Sequence, residues 1–393
     1  MNSTPLMRDP AAPLTRDVAP AMRRAPKYRS DWLMLATALT LSLIGAILVW
    51  SATRTPMRLA GRNENAYLYR HLFNVMIAVG LAFVVSRLDT RLLRFLGPIA
   101  YIGAIVGLLA VFAVGATING AHAWIRLGGG FEIQPSEFMK IGLIVAFAVL
   151  FSRGAVLGRE QPRNRDIVVA LVLGALPLGL IMLQPDLGSA MVLTVTSFGV
   201  FVAARVPARW TVGLLLLGVL GAVIVVKAGM LADYQLARFG SFTHPHLDPQ
   251  GTSYNVTQAH IAIAHGGLFG AGLFHGPQTR GGFVPEQQTD FVYSVAGEEF
   301  GFVGAVFIIG LFALLCWRAL RIAACADAAG RLVAAGVVCW FAFQAFQNIG
   351  MNLGLTPVTG LPLPFVSYGG SSMFAQGIAI GLLVAIDRQA RKA

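Results

Sequence analysis

Long apolar runs alternate with short polar stretches along almost the whole chain. Runs near 31–52, 71–86, 92–114, 137–152, 167–183, 189–203, 211–230, 291–317, 331–353 and 371–386 predict ten membrane-spanning helices. A helix needs about 20 residues to cross a bilayer, so the shorter runs extend into their flanks. Helices are expected because lipid cannot satisfy the edges of an open sheet. The fold class is therefore all-α and integral to the membrane, a polytopic helical bundle. Residues 1–30 carry Arg8, Arg16, Arg23, Arg24, Lys27 and Arg29 among prolines and alanines, and read as a disordered basic tail. Residues 31–389 form one polytopic domain, and 390–393 a short tail. The connection 231–290 is far longer than ordinary loops, and loops of that length are functional or disordered. Within it, Tyr254–Gly267 has helical apolar spacing and predicts a helix lying on the membrane surface. Pro285 suits a first helical turn, which would set Glu286 and Asp290 on one helix face.

Composition agrees: 56% of residues are hydrophobic and 12% charged, with mean hydropathy +0.68, against roughly 25% charged in soluble proteins. The net charge of +12 does not point to nucleic acid in such a chain, because lysine and arginine mark cytoplasmic loops. With the N-terminus inside, 21 of the 30 basic residues fall on the cytoplasmic side and seven outside. Both termini are thus expected in the cytoplasm of a multi-pass protein. Arg54, Arg58, Arg62 and Arg70 form the one outside loop that runs against the rule. Cys316, Cys325 and Cys339 have no metal-ligand spacing and read as free thiols. The inside loops are short and basic with no nucleotide fingerprint, so no organic cofactor is expected.

Unusual chemistry collects outside. The stretch Arg280 to Gly301, RGGFVPEQQTDFVYSVAGEEFG, passes from a polar segment into a span and holds Glu286, Asp290, Glu298 and Glu299. Ionisable groups at a membrane boundary are functional candidates. Asp290 is the candidate base, although another helix-start carboxylate would look the same. Arg280 stands ten residues before it, suited to an anionic lipid substrate. In QPSEFMK, Glu137 and Lys140 are three apart and can pair on one helix face; Lys140 is either half of a buried pair or a counter-charge for an anionic head group. Asp186, in QPDLG, reads as a turn and helix cap. Arg126 with Trp124 suits a sugar or phosphate, or an interfacial anchor. PFVSYGGSS, with Ser367 and Ser371, allows close helix contact and a flexible backbone. The histidines of the long loop, His244, His246, His260, His265 and His275, match no zinc pattern.

Four of these segments, NGAHAWIRLGG with EIQPSEFMK, QPDLGSA, FVPEQQTDFVYSVAGEEFG and GLPLPFVSYGGSS, occur in an order that resembles the SEDS family of bacterial membrane proteins (shape, elongation, division and sporulation). The resemblance covers about residues 31–389. The turn around Thr359 is closer to the elongation members than to the division members, which carry lysine there; His122 stands where relatives often have arginine or lysine. The resemblance implies a ten-span fold and a peptidoglycan glycosyltransferase that polymerises lipid II, using undecaprenyl-pyrophosphate-linked glycan, at the outer face of the plasma membrane. It implies Asp290 as the catalytic residue, and Glu137 and Lys140 as matches to the family's QPSE..K motif. It also implies a class B penicillin-binding protein with transpeptidase activity as partner, alongside other elongation-complex membrane proteins. The cations available for a leaving pyrophosphate are Arg126, Arg238, Arg280 and Lys140, and a Mg2+ or Mn2+ ion near Asp290 is a further expectation. Two rivals predict other features: a lipid II flippase needs inverted repeats and a midplane site, and a non-catalytic scaffold that activates the partner tolerates any residue at position 290.

Overall fold

The computed structural model describes residues 31–118, 121–128, 131–227 and 252–392; Arg238, His244, His246 and the basic tail lie outside these. The helices are α1 (Trp32–Leu59), α2 (Ala66–Ser86), α3 (Thr90–Val114), α4 (Pro135–Val156), α5 (Asn164–Leu183), α6 (Leu187–Ala203), α7 (Ala208–Lys227), α8 (Thr252–Gly266), α9 (Pro277–Gly281), α10 (Val292–Cys325), α11 (Ala328–Asn352) and α12 (Gly370–Ala390). Eight of them are long and apolar enough to cross a membrane, and the shorter apolar runs of α6 and α7 fall where two further spans were expected. In their apolar windows α4, α12 and α11 are 83%, 72% and 61% buried, whereas α2, α3, α5 and α10 are 22–28% buried. The first three are the centre of the bundle, and the others turn most of their surface to lipid.

Capping carboxylates set several helix starts. Asp31 accepts from Met34 N–H and pairs with Arg318 at 2.8 Å, tying the start of α1 to the end of α10. Asp186 caps α6 through Ser189 N–H (3.0 Å), and Asp327 caps α11 through Gly330 N–H (2.8 Å). α2 and α12 meet through small residues: a Cβ at Gly377 would strike the Ala78 carbonyl, and one at Gly381 would lie 2.7 Å from that of Ala82. Such close approach is how helices associate in lipid, where apolar side chains gain nothing over the solvent.

Three expectations are corrected. First, in a chain expected to be all-α, the segment after α3 is an antiparallel three-stranded sheet, β1 (Ala116–Ile118), β2 (Ala121–Gly128) and β3 (Phe131–Ile133), in order β1-β2-β3. It packs on the bundle, where His122 Nε2 meets the Val111 carbonyl at 3.0 Å and His122 N–H donates to Gln184 O. Second, α8 does not lie free on the membrane surface. It packs against α10, with Ala259 and Ala262 buried and Gly266 tight against the Gly297 carbonyl. Third, no helix starts at Pro285. Residues 285–291 form turns, Glu286 has φ 54°, and the N–H groups of Thr289, Asp290 and Phe291 all donate to its carbonyl. Glu286 and Asp290 therefore do not share a helix face.

α10 is broken at Gly301 (φ 65°, ψ −166°). The turn 267–272 inserts into the break: Phe302 and Val303 N–H donate to Gly267 and Leu268 carbonyls, and Ala271 and Gly272 N–H donate to those of Glu298 and Glu299. Every backbone group freed at such a break needs a protein partner at membrane depth. The left-handed φ at position 301 also favours glycine.

The α2–α12 seam gives a direct test. Gly377→Val must separate two backbones, at a cost of about 1–3 kcal/mol, and lowers the thermal unfolding midpoint in detergent. Gly310→Val, where an added Cβ meets nothing within 4 Å, leaves it unchanged.

Candidate active site

One end of the bundle collects β1–β3, α8, α9, the turns 283–291 and the non-helical segment 353–369. Irregular backbone survives at such depth only when protein satisfies its polar groups. Here α11 does much of this. Its Gln344, Gln347, Asn348 and Asn352 recur at helical spacing and are all at most 2% exposed. Gln344 Nε2 donates to Pro362 O at 2.8 Å and Gln347 Nε2 to Pro357 O at 3.0 Å. Asn348 Nδ2 donates to the carbonyls of both Leu361 (2.7 Å) and Asp290 (2.8 Å). Asn352 Nδ2 also donates to Asp290 O at 3.1 Å, while its Oδ1 accepts from Ser294 N–H at 3.1 Å. Two buried amides thus hold the main chain of Asp290 from below.

Further contacts fix the same turns. Ser367 Oγ donates to Thr289 O, and Tyr368 N–H donates to Gln288 O. Gln287 Nε2 reaches Ala52 O on α1 and Thr279 O in α9. Asp290 itself is half-buried, and Glu286 is exposed, accepting from Thr289 Oγ1 at 3.0 Å. Beside them Tyr368 meets Tyr67 edge-on with ring centroids 5.0 Å apart. Burial pushes the Tyr368 hydroxyl above its usual range, the Arg70 guanidinium beside it pulling the other way. At neutral pH Tyr368 is a protonated donor.

The other candidates divide. Arg126 and Glu132 face each other across β2 and β3 and pair at 3.3 Å, with the Arg126 side chain 64% exposed. Trp124 is half-buried on β2, and Arg280 is exposed at the end of α9. Glu137 and Lys140 do not reach this surface. Both are buried in α4, paired at 2.7 Å, with the Lys140 ammonium 3.2 Å from Gln344 Oε1 and 4.7 Å from the Trp340 ring centroid. Burial of the pair removes the basis for a direct hold by Lys140 on a head group and leaves it tying α4 to α11. Ser371 is buried too, donating to Glu132 O and accepting from Gln134 N–H. Ser367 and Ser371 therefore join segments together. Gln134 Nε2 in turn donates to Asp186 at 2.8 Å.

Glu298 and Glu299 lie inside the protein. Glu298 accepts from Gln278 N–H (2.8 Å), Thr279 N–H (2.8 Å) and Thr279 Oγ1 (2.6 Å); Glu299 accepts from Ser51 Oγ and from Phe274 N–H (3.0 Å). They anchor the segment that carries Arg280. Arg70 and the α11 amides were not singled out from sequence. The signals were present: Arg70 belongs to the outside loop that defies the charge rule, and FQAFQNIGMN repeats amides on one face of an apolar helix. Among the described residues no group of three His, Cys, Asp or Glu is placed to hold a metal ion by itself; a Mg2+ ion shared with a substrate pyrophosphate would need only one or two carboxylates.

Fold and site together define a polytopic helical membrane protein with a carboxylate presented at one end. Residues 31–392 match the cell cycle protein family of FtsW, RodA and SpoVE, and the chain belongs to that family. It is 36% identical over 361 residues to the probable peptidoglycan glycosyltransferase FtsW of Trichlorobacter lovleyi, covering 91% of this chain and 93% of that protein. It superposes on a chain of a peptidoglycan synthase complex that coordinates polymerization and crosslinking, with TM-score 0.77, 32% identity and coverage of 93% and 99%. The rod shape determining protein RodA of Thermus thermophilus is similar at TM-score 0.67 and 30% identity, with coverage of 92% and 98%.

Anchoring by Glu298 is testable. Glu298→Gln loses a buried charged acceptor for two N–H groups and a hydroxyl, costing on the order of 1–3 kcal/mol. The unfolding midpoint falls, and limited proteolysis cuts within 266–283 first; unchanged cleavage there contradicts the anchor.

Proposed function

We propose that this protein is a peptidoglycan glycosyltransferase that polymerises lipid II, with Asp290 as general base. The observation that carries the reading is the hold of Asn348 and Asn352 on the Asp290 carbonyl, which presents that carboxylate half-buried at one end of the bundle. Glu298 and Glu299 hold backbone, and Glu64 and Glu132 form ion pairs with Arg54 and Arg126. Family membership and the activity named for the FtsW relative support the same chemistry.

In the reaction, the Asp290 carboxylate takes the proton of an acceptor sugar hydroxyl. The oxygen forms a bond to the donor's anomeric carbon as the bond from that carbon to the lipid pyrophosphate breaks, and the pyrophosphate leaves with the electron pair. A positioned base contributes about a hundredfold to ten-thousandfold. Arg70, Arg126 and Arg280 are among the exposed cations at this end that can meet the pyrophosphate charge. No step is routed through a metal ion.

The basic-residue distribution supports placing both termini in the cytoplasm and this end outside the plasma membrane of a bacterium. The turn at Thr359 and the likeness to RodA support a role in elongation. The synthase-complex neighbour supports a class B penicillin-binding protein as partner.

Purified protein, alone and with a class B partner, is incubated with lipid II and the glycan products are read on a gel. Asp290→Asn keeps the unfolding midpoint and loses at least about a hundredfold in rate. Arg70→Gln raises KM for lipid II about tenfold with a smaller change in kcat. Normal polymerisation by Asp290→Asn sinks the assignment of the base; no product from the wild-type complex favours a flippase or scaffold.

A further inference from the structure

At the opposite end of the bundle three connections converge on a small open cleft of about 150 Å3. Arg159 comes from the α4–α5 connection, Arg205 from the α6–α7 turn and Arg331 from the first turn of α11, and all three line the cleft. Glu160 is the one acidic residue in the lining. Among the described residues, no hydrogen bond or ion pair is found for the side chains of the three arginines. The neighbouring acid, Asp327, is occupied in capping α11. That helix also directs its N-terminal end, the positive end of its dipole, at the cleft through Ala328 and Arg331.

The arginines are held in place. Arg159 N–H donates to Gly154 O. Arg205 takes a left-handed conformation (φ 55°), with its N–H donating to Val202 O and that of Val206 to Phe201 O. Unlike a loop that only obeys the charge rule, this arrangement gathers like charges from three separate segments around one concavity. Three like charges against the single acid Glu160 leave an excess that an anion makes favourable. Phe151 and Leu332 add apolar surface to a mainly polar lining, and Leu157 and Val202, next in the chain to lining segments, are 66% and 56% exposed. A free anion has no use for exposed apolar side chains beside its site, whereas a lipid does.

We infer that the cleft formed by Arg159, Arg205 and Arg331 binds the phosphodiester headgroup of an anionic phospholipid, its acyl chains running along Leu157 and Val202. Basic pockets between spans on the cytoplasmic side are suited to such headgroups. The leaflet depends on the orientation proposed above, whereas the chemistry of the cleft does not. A lipid seated there bridges the ends of α4, α6 and α11, the last of which also carries the amides that hold Asp290.

The full-length protein in neutral detergent, where sidedness plays no part, is titrated with phosphatidylglycerol, phosphatidylcholine and inorganic phosphate, and binding is read by native mass spectrometry and thermal shift. Phosphatidylglycerol is expected to bind about tenfold or more tightly than phosphatidylcholine, and each of Arg159→Gln, Arg331→Gln and Arg205→Gly to weaken it about fivefold. Arg205→Gly also suits the left-handed backbone, so its loss of binding comes without strain. Glu160→Gln strengthens binding, and Arg153→Gln, exposed at the same end but outside the lining, leaves it unchanged. Equal affinity for the two lipids, equal loss in Arg153→Gln, or competition by inorganic phosphate at matching concentration overturns the lipid headgroup assignment.

Discussion

The structure depends on one requirement: polar backbone at membrane depth must find partners inside the protein. Leaving a single peptide group unsatisfied in hydrocarbon costs several kcal/mol. The face of α11 that carries Gln344, Gln347, Asn348 and Asn352 meets that need for two irregular segments at once. A carboxamide side chain offers two donors and an acceptor without charge, so it can clamp carbonyls where a buried lysine or aspartate would need a counter-ion. Where charge does occur on this path, at Lys140, it is matched by Glu137 and joined to the same ladder through Gln344.

The broken helix α10 solves the complementary problem. Its break at Gly301 frees backbone groups, the inserted turn 267–272 bonds them, and Glu298 and Glu299 extend the same hold to 274–279. The acidic residues that look most like a catalytic cluster in sequence are thus the fastening of the segment 274–279. Asp290, the proposed base, is set at the junction of both systems: its carbonyl is held by α11, and its neighbours in sequence are held by Ser367 and by the Tyr368 backbone. A base fixed by its main chain in this way requires little reorganisation when substrate arrives.

Much of this was legible in the sequence. The ten apolar runs correspond to α1–α7 and α10–α12, because hydrophobic length is dictated by the bilayer and by little else. Family resemblance singled out residue 290, and the cysteines are free as expected. What sequence misread was local. Pro285 invited a helix, but Glu286 in a left-handed conformation closes a turn there instead. The amphipathic stretch was given to the membrane surface, although its small residues fit the broken α10. The sheet after α3 was missed because its stability comes from the bundle beneath it, through His122. For Lys140 the sequence leaves a buried pair and a counter-charge both open, because a linear pattern of Glu and Lys does not show depth; the structure has the pair. Arg70 and the amides of α11 were passed over because their partners are distant in sequence.

The hold of the buried α11 amides on the turns 286–291 is what fits Asp290 for the proposed role of base. Hydrogen exchange of that segment, measured in detergent for the wild type and for Asn348→Leu alongside glycan polymerisation, tests it most directly. The account predicts slow exchange of the Thr289, Asp290 and Phe291 amides in the wild type. It predicts acceleration by about tenfold or more in the variant, the equivalent of one lost hydrogen bond, with polymerisation lost in parallel. Rapid exchange in the wild type, or unchanged exchange and activity in the variant, would contradict it.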